Sequence, residues 1–374
     1  MRGELADQLL AEVMDWSSDE LRDNRARIQN LARAKYNRYQ QFSPGMQFVE
    51  SLAIWLDQFD EPEERKTAYN FILDRLIFIS RAEMRHFVSL AYPEKVRPQL
   101  VEQVAESEDI SPIAVKQIVN SKAYERLRRQ CLFLGLSDGA HAAAFRRGNT
   151  GRISHEQIVH HYRLNEEKAV DLLGELEEAM EDLDHPSPQD ALFNNLFLLD
   201  DFTASGKSYF RKEGDSYDGK IHRVLEDLQG NTPLSRVVDT NDLSVYALIY
   251  VASEYSFDRL ERELAEWSQK EGAGITVKPL VVQKIRREDE VQRSQDGAFY
   301  KLIEEYFDDR IVDEHYEKGQ TDEPYLGFDQ CALPVVLYHN TPNNSVPLLW
   351  FPEGGEDDLI GLFPRVDRHQ EGWR

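Results

Sequence analysis

The chain is poor in cysteine and in long hydrophobic runs, and these two shortages exclude several classes of protein. It has two cysteines, Cys131 and Cys331, and no CxxC pair. That rules out a cysteine-based zinc site and is typical of a reducing cytosol, so we expect a cytoplasmic location. No apolar run approaches the roughly 20 residues needed to span a bilayer. The first residues also lack a signal-peptide core, so we expect no membrane association.

Positive charge is scarce as well. Lysine and arginine number 44 against 68 aspartates and glutamates, which gives a net charge of -24. Counterion release cannot drive nucleic-acid capture by so acidic a chain, and we expect no direct nonspecific binding to DNA. With 374 residues, of which 41% are hydrophobic, the chain is long enough for two packed domains.

The period of the hydrophobic pattern changes along the chain. Up to about residue 115, apolar residues recur at helical spacing, as in Phe48, Leu52, Leu56 and Phe59. Short apolar runs follow, and helical patterns separate the first four of them. This alternation predicts a parallel sheet covered by helices, so we expect a helical region at 1–115 and an α/β domain at 116–374. The runs are 131–136, 196–199, 245–252, 275–282 and 333–338.

The most informative motif follows the second of these runs. The run ends in Asp200 and Asp201, whose carboxylates can accept hydrogen bonds from the hydroxyls of a sugar. A loop of small and hydroxyl residues comes next, and Lys207 is expected to open a helix. Backbone N–H groups at a helix start favour a phosphate, so the loop predicts a phosphate site. Its candidate residues are Thr203, Ala204, Ser205, Gly206, Lys207 and Ser208.

Residues 196–208 resemble the motif by which type I phosphoribosyltransferases bind phosphoribosyl pyrophosphate. The resemblance implies that Asp200 and Asp201 hold the ribose hydroxyls and stabilise an oxocarbenium-like transition state. It implies that residues 204–208 hold the 5′-phosphate, although Ala204 replaces the usual hydroxyl residue. It further implies a phosphoribosyltransferase-like fold, with Mg²⁺ held by the ligand's oxygens and water and by no protein ligand. No feature of the sequence names an acceptor.

A second loop follows the first apolar run. The same family places a pyrophosphate-binding loop after its first core strand, and Ser137, Asp138 and Gly139 occupy that place here. The surrounding segment is basic, which suggests an anion nearby, although a solvated helix face is an equal alternative. Its basic residues are Lys116, Lys122, Arg126, Arg128, Arg129, Arg146, Arg147 and Arg152.

A polar turn near the end of the chain, residues 338–347, contains Asn343 and Asn344. It predicts either a rigid loop or a cap over the sugar-phosphate site, in which one of the asparagines contacts a base or an acceptor. The run Asn-Thr-Pro-Asn-Asn together with an aspartate pair resembles divergent phosphoribosyltransferase-like proteins of bacterial conflict and phage-defence loci. That resemblance implies a role in antiphage defence and a protein partner from a defence locus.

Other interpretations stay open. The same pocket would serve a non-catalytic nucleotide sensor, so the sequence leaves enzymatic activity undecided. The end of the loop looks like a P-loop, but Asp201 stands where that motif needs glycine. The stretch could also be an ordinary strand-to-helix turn, with Asp200 or Asp201 as the helix cap. Residues 153–176 could form a helix-turn-helix, although its second helix would begin Asn165-Glu166-Glu167, which suits DNA poorly.

Overall fold

The computed structural model describes residues 3–214, 216–272, 274–312, 316, 321–352 and 359–366. Its contacts divide the chain into two compact units. The first combines Met1–Glu83 with Arg286–Arg374, and the second is Met84–Ile285. This division differs from the boundary expected near residue 115, because both ends of the chain belong to the same unit.

Helices dominate the first 129 residues, and helices and strands alternate after that. The helices are α1 Gly3–Val13, α2 Ser18–Ala34, α3 Phe48–Asp57, α4 Pro62–Asp74, α5 Arg81–Ala91, α6 Arg97–Ser107, α7 Val115–Val119, α8 Lys122–Arg129, α9 Ala142–Gly148, α10 Glu166–Asp182, α11 Lys220–Gln229, α12 Pro233–Val237, α13 Glu254–Lys270 and α14 Gly297–Glu305. The strands are β1 Ile77–Ile79, β2 Cys131–Gly135, β3 Ile158–His160, β4 Asn195–Thr203, β5 Arg211–Glu213, β6 Ser216–Asp218, β7 Ser244–Ser253, β8 Thr276–Ile285 and β9 Val335–Leu337.

The first unit is mainly helical and contains a small parallel sheet. Strand β1 pairs with β9, with Phe78 opposite Val336. This pairing corrects two expectations. The region before residue 115 is not wholly helical, because α4 ends at Asp74 and the β-branched run of β1 follows. The apolar run at 333–338 does form a strand, but that strand lies outside the main sheet.

The second unit contains a five-stranded sheet in the order β3-β2-β4-β7-β8. All neighbouring strands run parallel. In register, Leu134 of β2 lies opposite Leu198 of β4, and Leu198 lies opposite Ala247 of β7. The α/β fold with a parallel sheet and an N-terminal helical region is therefore confirmed.

Both faces of this sheet are apolar, as expected where helices cover a parallel sheet. One face joins β-strand leucines such as Leu196 and Leu198 to a core formed with α10, α11 and α13. The opposite face carries stacked aromatic rings, with Phe197 lying 5.2 Å from Phe133 and 4.7 Å from Tyr246 between ring centroids. Successive side chains of β4 thus enter different layers, which separates the two aspartates at its end.

The edge strand β3 corrects the helix-turn-helix interpretation. Residues expected to form its first helix instead pair with β2, with Ile158 opposite Phe133 and Val159 opposite Leu134. Burial of Ile158 and Val159 at the sheet edge stabilises the extended form over the helix. Of the two helices expected here, the second forms, as α10, which begins after the N-cap Asn165.

The strand order reverses between β2 and β4, where a doubly wound sheet is expected to form a crevice. The chain moves outward from β2 to β3 and then returns to β4 on the other side of β2. Ligands of doubly wound sheets bind outside the carboxyl ends of the strands at such a reversal. Both sequence-predicted loops of this unit, residues 137–139 and 200–208, follow or end the two strands that flank it.

Candidate functional site

Asp200 is the most enclosed group of the site. Its residue exposure is 0%. The Oγ of Ser137 donates to Oδ1 of Asp200 at 2.5 Å, and Nζ of Lys220 lies 2.7 Å from Oδ2. The ammonium of Lys220 also stands 4.9 Å from the ring centroid of Tyr209. Both carboxylate oxygens of Asp200 are therefore engaged by side chains of the protein.

Asp201 lies on the opposite side of the strand and is partly exposed. A Cβ at Gly139 would lie 2.7 Å from Cγ and 2.7 Å from Oδ2 of Asp201, so the glycine backbone packs directly on the carboxylate. Its Oδ1 accepts from the backbone N–H of Phe202 at 2.8 Å. Enclosure and, second, the charge of Asp200 raise the pKa of Asp201 to about 7, while Lys220 acts in the opposite direction.

The loop at 137–139 is fastened to its surroundings by hydroxyl groups. Oγ of Ser137 accepts from the N–H of Gly139 at 3.1 Å and closes a short 3₁₀ turn. The hydroxyl of Tyr250 on β7 donates to the carbonyl of Ala140 at 2.8 Å. The exposed Asp138 accepts from the hydroxyl of Tyr162 at 2.9 Å. The structure thus brings this loop and the aspartate pair together.

The loop at 203–208 is held by its own side chains. Oγ1 of Thr203 accepts from the N–H of Gly206 at 3.1 Å, and Oγ of Ser205 accepts from the N–H of Lys207 at 3.3 Å. The carbonyl of Ala204 accepts from the hydroxyl of Ser253 at 2.6 Å. Two of the backbone N–H groups expected to face a phosphate are therefore occupied by loop hydroxyls. A phosphate oxygen would have to displace these long hydrogen bonds to reach them.

The expectation that Lys207 opens a helix is wrong. The carbonyl of Gly206 accepts from the N–H groups of Tyr209 and Phe210, which closes a turn, and the hairpin β5–β6 follows. The side chains of Tyr209 and Phe210 are both buried, and their burial favours this turn over a helix that begins at Lys207. The arrangement is also not that of a P-loop, because Asp201 lies within β4 and no helix follows Lys207 directly.

A helix does meet the loop, after the inserted hairpin. Helix α11 begins at Lys220, whose N–H donates to the carbonyl of Ser208 at 3.1 Å. The N–H of Ile221 donates to the carbonyl of Tyr209 at 2.9 Å. Gly219 makes this join possible, since its φ is +124° and a Cβ there would lie 2.4 Å from the carbonyl oxygen of Tyr209.

Lys220 is the site residue that sequence reasoning missed. The hairpin separates it from the motif along the chain, and nothing in the motif itself points to a lysine. The available signal was the dipeptide Gly219-Lys220 ahead of the amphipathic pattern of α11.

Asn343 and Asn344 belong to the first unit. Nδ2 of Asn344 donates to the carbonyl of Phe328 at 3.0 Å, and the residue is 8% exposed. The carbonyl of Asn343 accepts from the N–H of Phe328 at 2.8 Å and from the hydroxyl of Tyr316 at 3.1 Å. These contacts suit a rigid loop, and a role for either asparagine in reading a base stays a prediction.

The described residues contain neither a membrane-spanning helix nor a cluster of metal ligands. No helix among them combines the length and apolarity that crossing a membrane requires. In the same part of the chain, no group of three His, Cys, Asp or Glu side chains is placed to hold a metal ion.

The doubly wound sheet, the acid pair near the carboxyl end of its central strand and the small-residue loop that follows define a phosphoribosyltransferase-like α/β protein. The chain belongs to the PRTase-CE family, whose model matches residues 52–365. No curated protein and no solved structure matches the chain.

Proposed function

We propose that this chain binds phosphoribosyl pyrophosphate, or a nucleotide with the same sugar phosphate, in the crevice beside β2 and β4. The observation that carries the proposal is the direct packing of Gly139 on the carboxylate of Asp201. A pyrophosphate loop and a ribose-binding acid must be neighbours if they serve one ligand. Here they are neighbours at the reversal of strand order, where doubly wound sheets bind ligands.

The two aspartates have different roles in this proposal. Asp201 is partly exposed and accepts hydrogen bonds from the ribose hydroxyls. Asp200 has both oxygens engaged by Ser137 and Lys220, so it positions the end of β4 and contributes negative charge from behind. This refines the expectation that both aspartates hold the ribose hydroxyls.

The loop at 203–208 takes the 5′-phosphate. Ser208 and Lys207 are the more exposed members of this loop, while Thr203, Ala204, Ser205 and Gly206 form its buried frame. When a phosphate binds, its oxygens replace the hydroxyls of Thr203 and Ser205 as acceptors for the loop N–H groups. The released hydroxyls then donate to the phosphate, so no polar group loses its partner.

In this proposal Mg²⁺ would enter the crevice together with the ligand. Carboxylate oxygens are ligands it prefers, and the exposed Asp138 in the loop at 137–139 could supply one, which would add a single protein ligand to the expectation of none. Because the described residues contain no three-ligand cluster, oxygens of the pyrophosphate and water would complete its shell. Bound there, Mg²⁺ would supply positive charge beside the leaving pyrophosphate.

As a transferase, the chain would pass phosphoribosyl to an acceptor. The bond from C1′ to the pyrophosphate oxygen breaks, a bond from C1′ to the acceptor forms, and the acceptor's proton passes to water. Positive charge builds on the sugar ring as pyrophosphate leaves. The ionised carboxylate of Asp201 stabilises that charge, and the loops hold both ends of the substrate in place. We place this activity in bacterial antiphage defence, alongside a partner protein, on the sequence resemblance described above.

A non-catalytic nucleotide sensor is the second candidate. The sealed state of Asp200 and the occupied N–H groups of Gly206 and Lys207 favour it. A pocket that must open its own hydrogen bonds to bind can report on the ligand through that rearrangement. Both candidates use the same pocket, so binding alone does not separate them.

Two measurements test the proposal. Calorimetry with phosphoribosyl pyrophosphate and Mg²⁺ should show binding by the wild type, and Asp201→Asn should weaken it by about tenfold, the loss of a hydrogen bond to a charged group. Equal binding by both proteins would contradict the ribose site. Pyrophosphate release with a panel of nucleobases then separates transfer from sensing. Tight binding with no release of pyrophosphate would favour the sensor.

A further inference from the structure

A basic cavity of about 420 Å³ lies in the second unit, away from the proposed ribose site. Its lining contains the residues directly before β2 and those directly before β3, such as Arg129 and Gln157. It therefore opens at the amino ends of these strands. Asp200 and Asp201 stand at the carboxyl end of the same sheet, because all its strands run parallel.

Four arginines line the cavity, against a single lining carboxylate, Glu125. One of the four has a structural role. The guanidinium of Arg129 lies 2.6 Å from Oε1 of Glu156 and donates to the carbonyl of Glu175 at 2.9 Å. The fold itself therefore accounts for Arg129. The other three are Arg128, Arg146 and Arg152.

These three arginines lack compensation by acidic groups. Within the described part of the chain, no ion pair joins any of them to a carboxylate. Nη2 of Arg146 makes one long hydrogen bond, of 3.4 Å, to the carbonyl of Ile158. Its Nε is buried without a hydrogen-bond partner. A buried donor without a partner is costly, and a bound anion would satisfy it.

Arg146 also lines a neighbouring cavity of about 400 Å³ along β3. The lining there is mixed in charge, because Arg163 and Lys168 are joined by Glu167 and Asp171, so the excess of positive charge is confined to the first cavity. Within a chain of net charge -24, this concentration of unpaired guanidinium groups on a concave surface is unusual. Guanidinium forks match the geometry of phosphate oxygens and bind them with two parallel hydrogen bonds.

We propose that this cavity is a second anion site, which binds a small, multiply phosphorylated molecule through Arg128, Arg146 and Arg152. Its volume falls within the range of small-molecule sites, about 300–1,000 Å³. Nucleic acid is a poorer fit, because three cations release too few counterions to hold a long polyanion against the acidic remainder of the chain. The site does not depend on the ribose site, since the two use different residues at opposite ends of the sheet.

Calorimetry on the full chain tests this, with tripolyphosphate and ATP as the probes and no Mg²⁺ present. The informative variants are Arg146→Gln and Arg152→Gln. Arg147→Gln is the matched control, because Arg147 neighbours Arg146 in α9, is exposed and does not line the cavity. We expect tripolyphosphate to bind at least about tenfold more weakly to the two cavity variants and unchanged to Arg147→Gln and Asp201→Asn.

Each other outcome overturns the proposal. An equal loss in Arg147→Gln would reveal general electrostatic attraction. Tighter binding to Asp201→Asn alone would place the probe in the ribose crevice, since removal of a carboxylate beside a bound anion relieves repulsion. Arg152 is exposed, so Arg152→Gln reports on binding even if Arg146→Gln folds poorly, which a thermal melt detects. Absence of binding at millimolar tripolyphosphate also contradicts the site. Tighter binding of a single-stranded oligonucleotide than of either probe would assign the surface to nucleic acid instead.

Discussion

Nζ of Lys220 lies 2.7 Å from Oδ2 of Asp200, and this ion pair joins the start of α11 to the end of β4. The carboxylate is fully buried, whereas the side chain of Lys220 is 32% exposed. Burying a charge without its partner costs several kcal/mol, so the pair matters most for what happens when one member is lost. It fixes the position of the strand end that carries Asp201.

Replacing Lys220 by methionine should therefore destabilise the chain strongly. Lys220→Met leaves the buried carboxylate of Asp200 without its cation, and we expect a loss of about 3–5 kcal/mol in the free energy of unfolding. Denaturant unfolding measures it. The double variant Lys220→Met/Asp200→Asn should recover much of the loss, whereas the exposed Lys116→Met should change little. Additive effects of the two single changes would show that the pair is not coupled.

Gly139 should tolerate no side chain if the crevice binds ligand as proposed. In Gly139→Ala the new Cβ would lie 2.7 Å from Oδ2 of Asp201, so the loop or the carboxylate must move. We expect binding of phosphoribosyl pyrophosphate, measured by calorimetry, to fall by about tenfold or more, because a small displacement of a positioned group is costly. Gly174→Ala in α10 is the control, since nothing lies within 4 Å of its Cβ. Unchanged affinity in Gly139→Ala would separate this loop from the ligand.

Gly206 serves the fold as well as the loop. Its φ is +76°, and a Cβ would lie 3.3 Å from Cγ of Leu260 in α13. We expect Gly206→Ala to lower the free energy of unfolding by about 1–2 kcal/mol from the backbone conformation alone. Gly151 has a φ of +78°, and no atom lies within 4 Å of a Cβ added there. The loss of unfolding free energy in Gly151→Ala therefore measures the cost of the backbone conformation by itself. A larger loss in Gly206→Ala than in Gly151→Ala measures the contact with Leu260, and equal losses would show that Leu260 yields freely.

Much of the main sheet could be predicted from the sequence, for a physical reason. Strands buried on both faces must be apolar throughout, and four of the five apolar runs became β2, β4, β7 and β8. The edge strand β3 was missed because it has only three residues, ends in a polar histidine and falls in a segment that also fits a helical period. The partner of β9 could not be predicted, since β1 lies in the other terminal part of the chain and strand pairing over that distance is decided by tertiary packing.

The candidate site, too, could be predicted from the sequence only in part. The aspartate pair and both loops were found because their chemistry depends on neighbours in the sequence. The sequence did not predict that Asp200 is fully buried while Asp201 is partly exposed. The burial of Asp200 depends on its contact with Lys220, which follows the hairpin β5–β6 in the chain. Insertion of a hairpin between a loop and its helix leaves no periodic signal.

The raised pKa of Asp201 predicts a dependence of stability on pH. Its pKa is about 7 in the folded chain and 3.8 in an unperturbed aspartate, so the folded state binds the proton more tightly. The wild type therefore loses stability as the pH rises from about 4 to 7, because the enclosed carboxyl must ionise. Asp201→Asn avoids this cost. We expect its melting temperature to exceed that of the wild type at pH 8 and the difference to shrink toward pH 5.

The exposed Asp242 provides the control for this experiment, because Asp242→Asn removes a carboxylate that is not part of the proposed ribose site. Its melting temperature should follow the wild type across the same range of pH. Ligand binding should show the opposite trend to stability, since the ionised form of Asp201 accepts two hydroxyl hydrogen bonds. Affinity for phosphoribosyl pyrophosphate that is constant from pH 5.5 to pH 8 would contradict the proposed role of this carboxylate.

We expect the isolated chain to bind duplex DNA only weakly. The segment proposed as a helix-turn-helix contains the strand β3. Two arginines nearby, Arg126 and Arg129, donate to backbone carbonyls of the fold. Arg126, for example, donates to the carbonyls of Leu183 and Asp184 at the end of α10. With the net charge of -24, we expect no gel shift of random duplex DNA below about 1 μM chain at physiological salt, near the strong end of nonspecific binding. Submicromolar binding that is lost in Arg146→Glu/Arg147→Glu would show instead that this basic surface captures DNA without a partner protein.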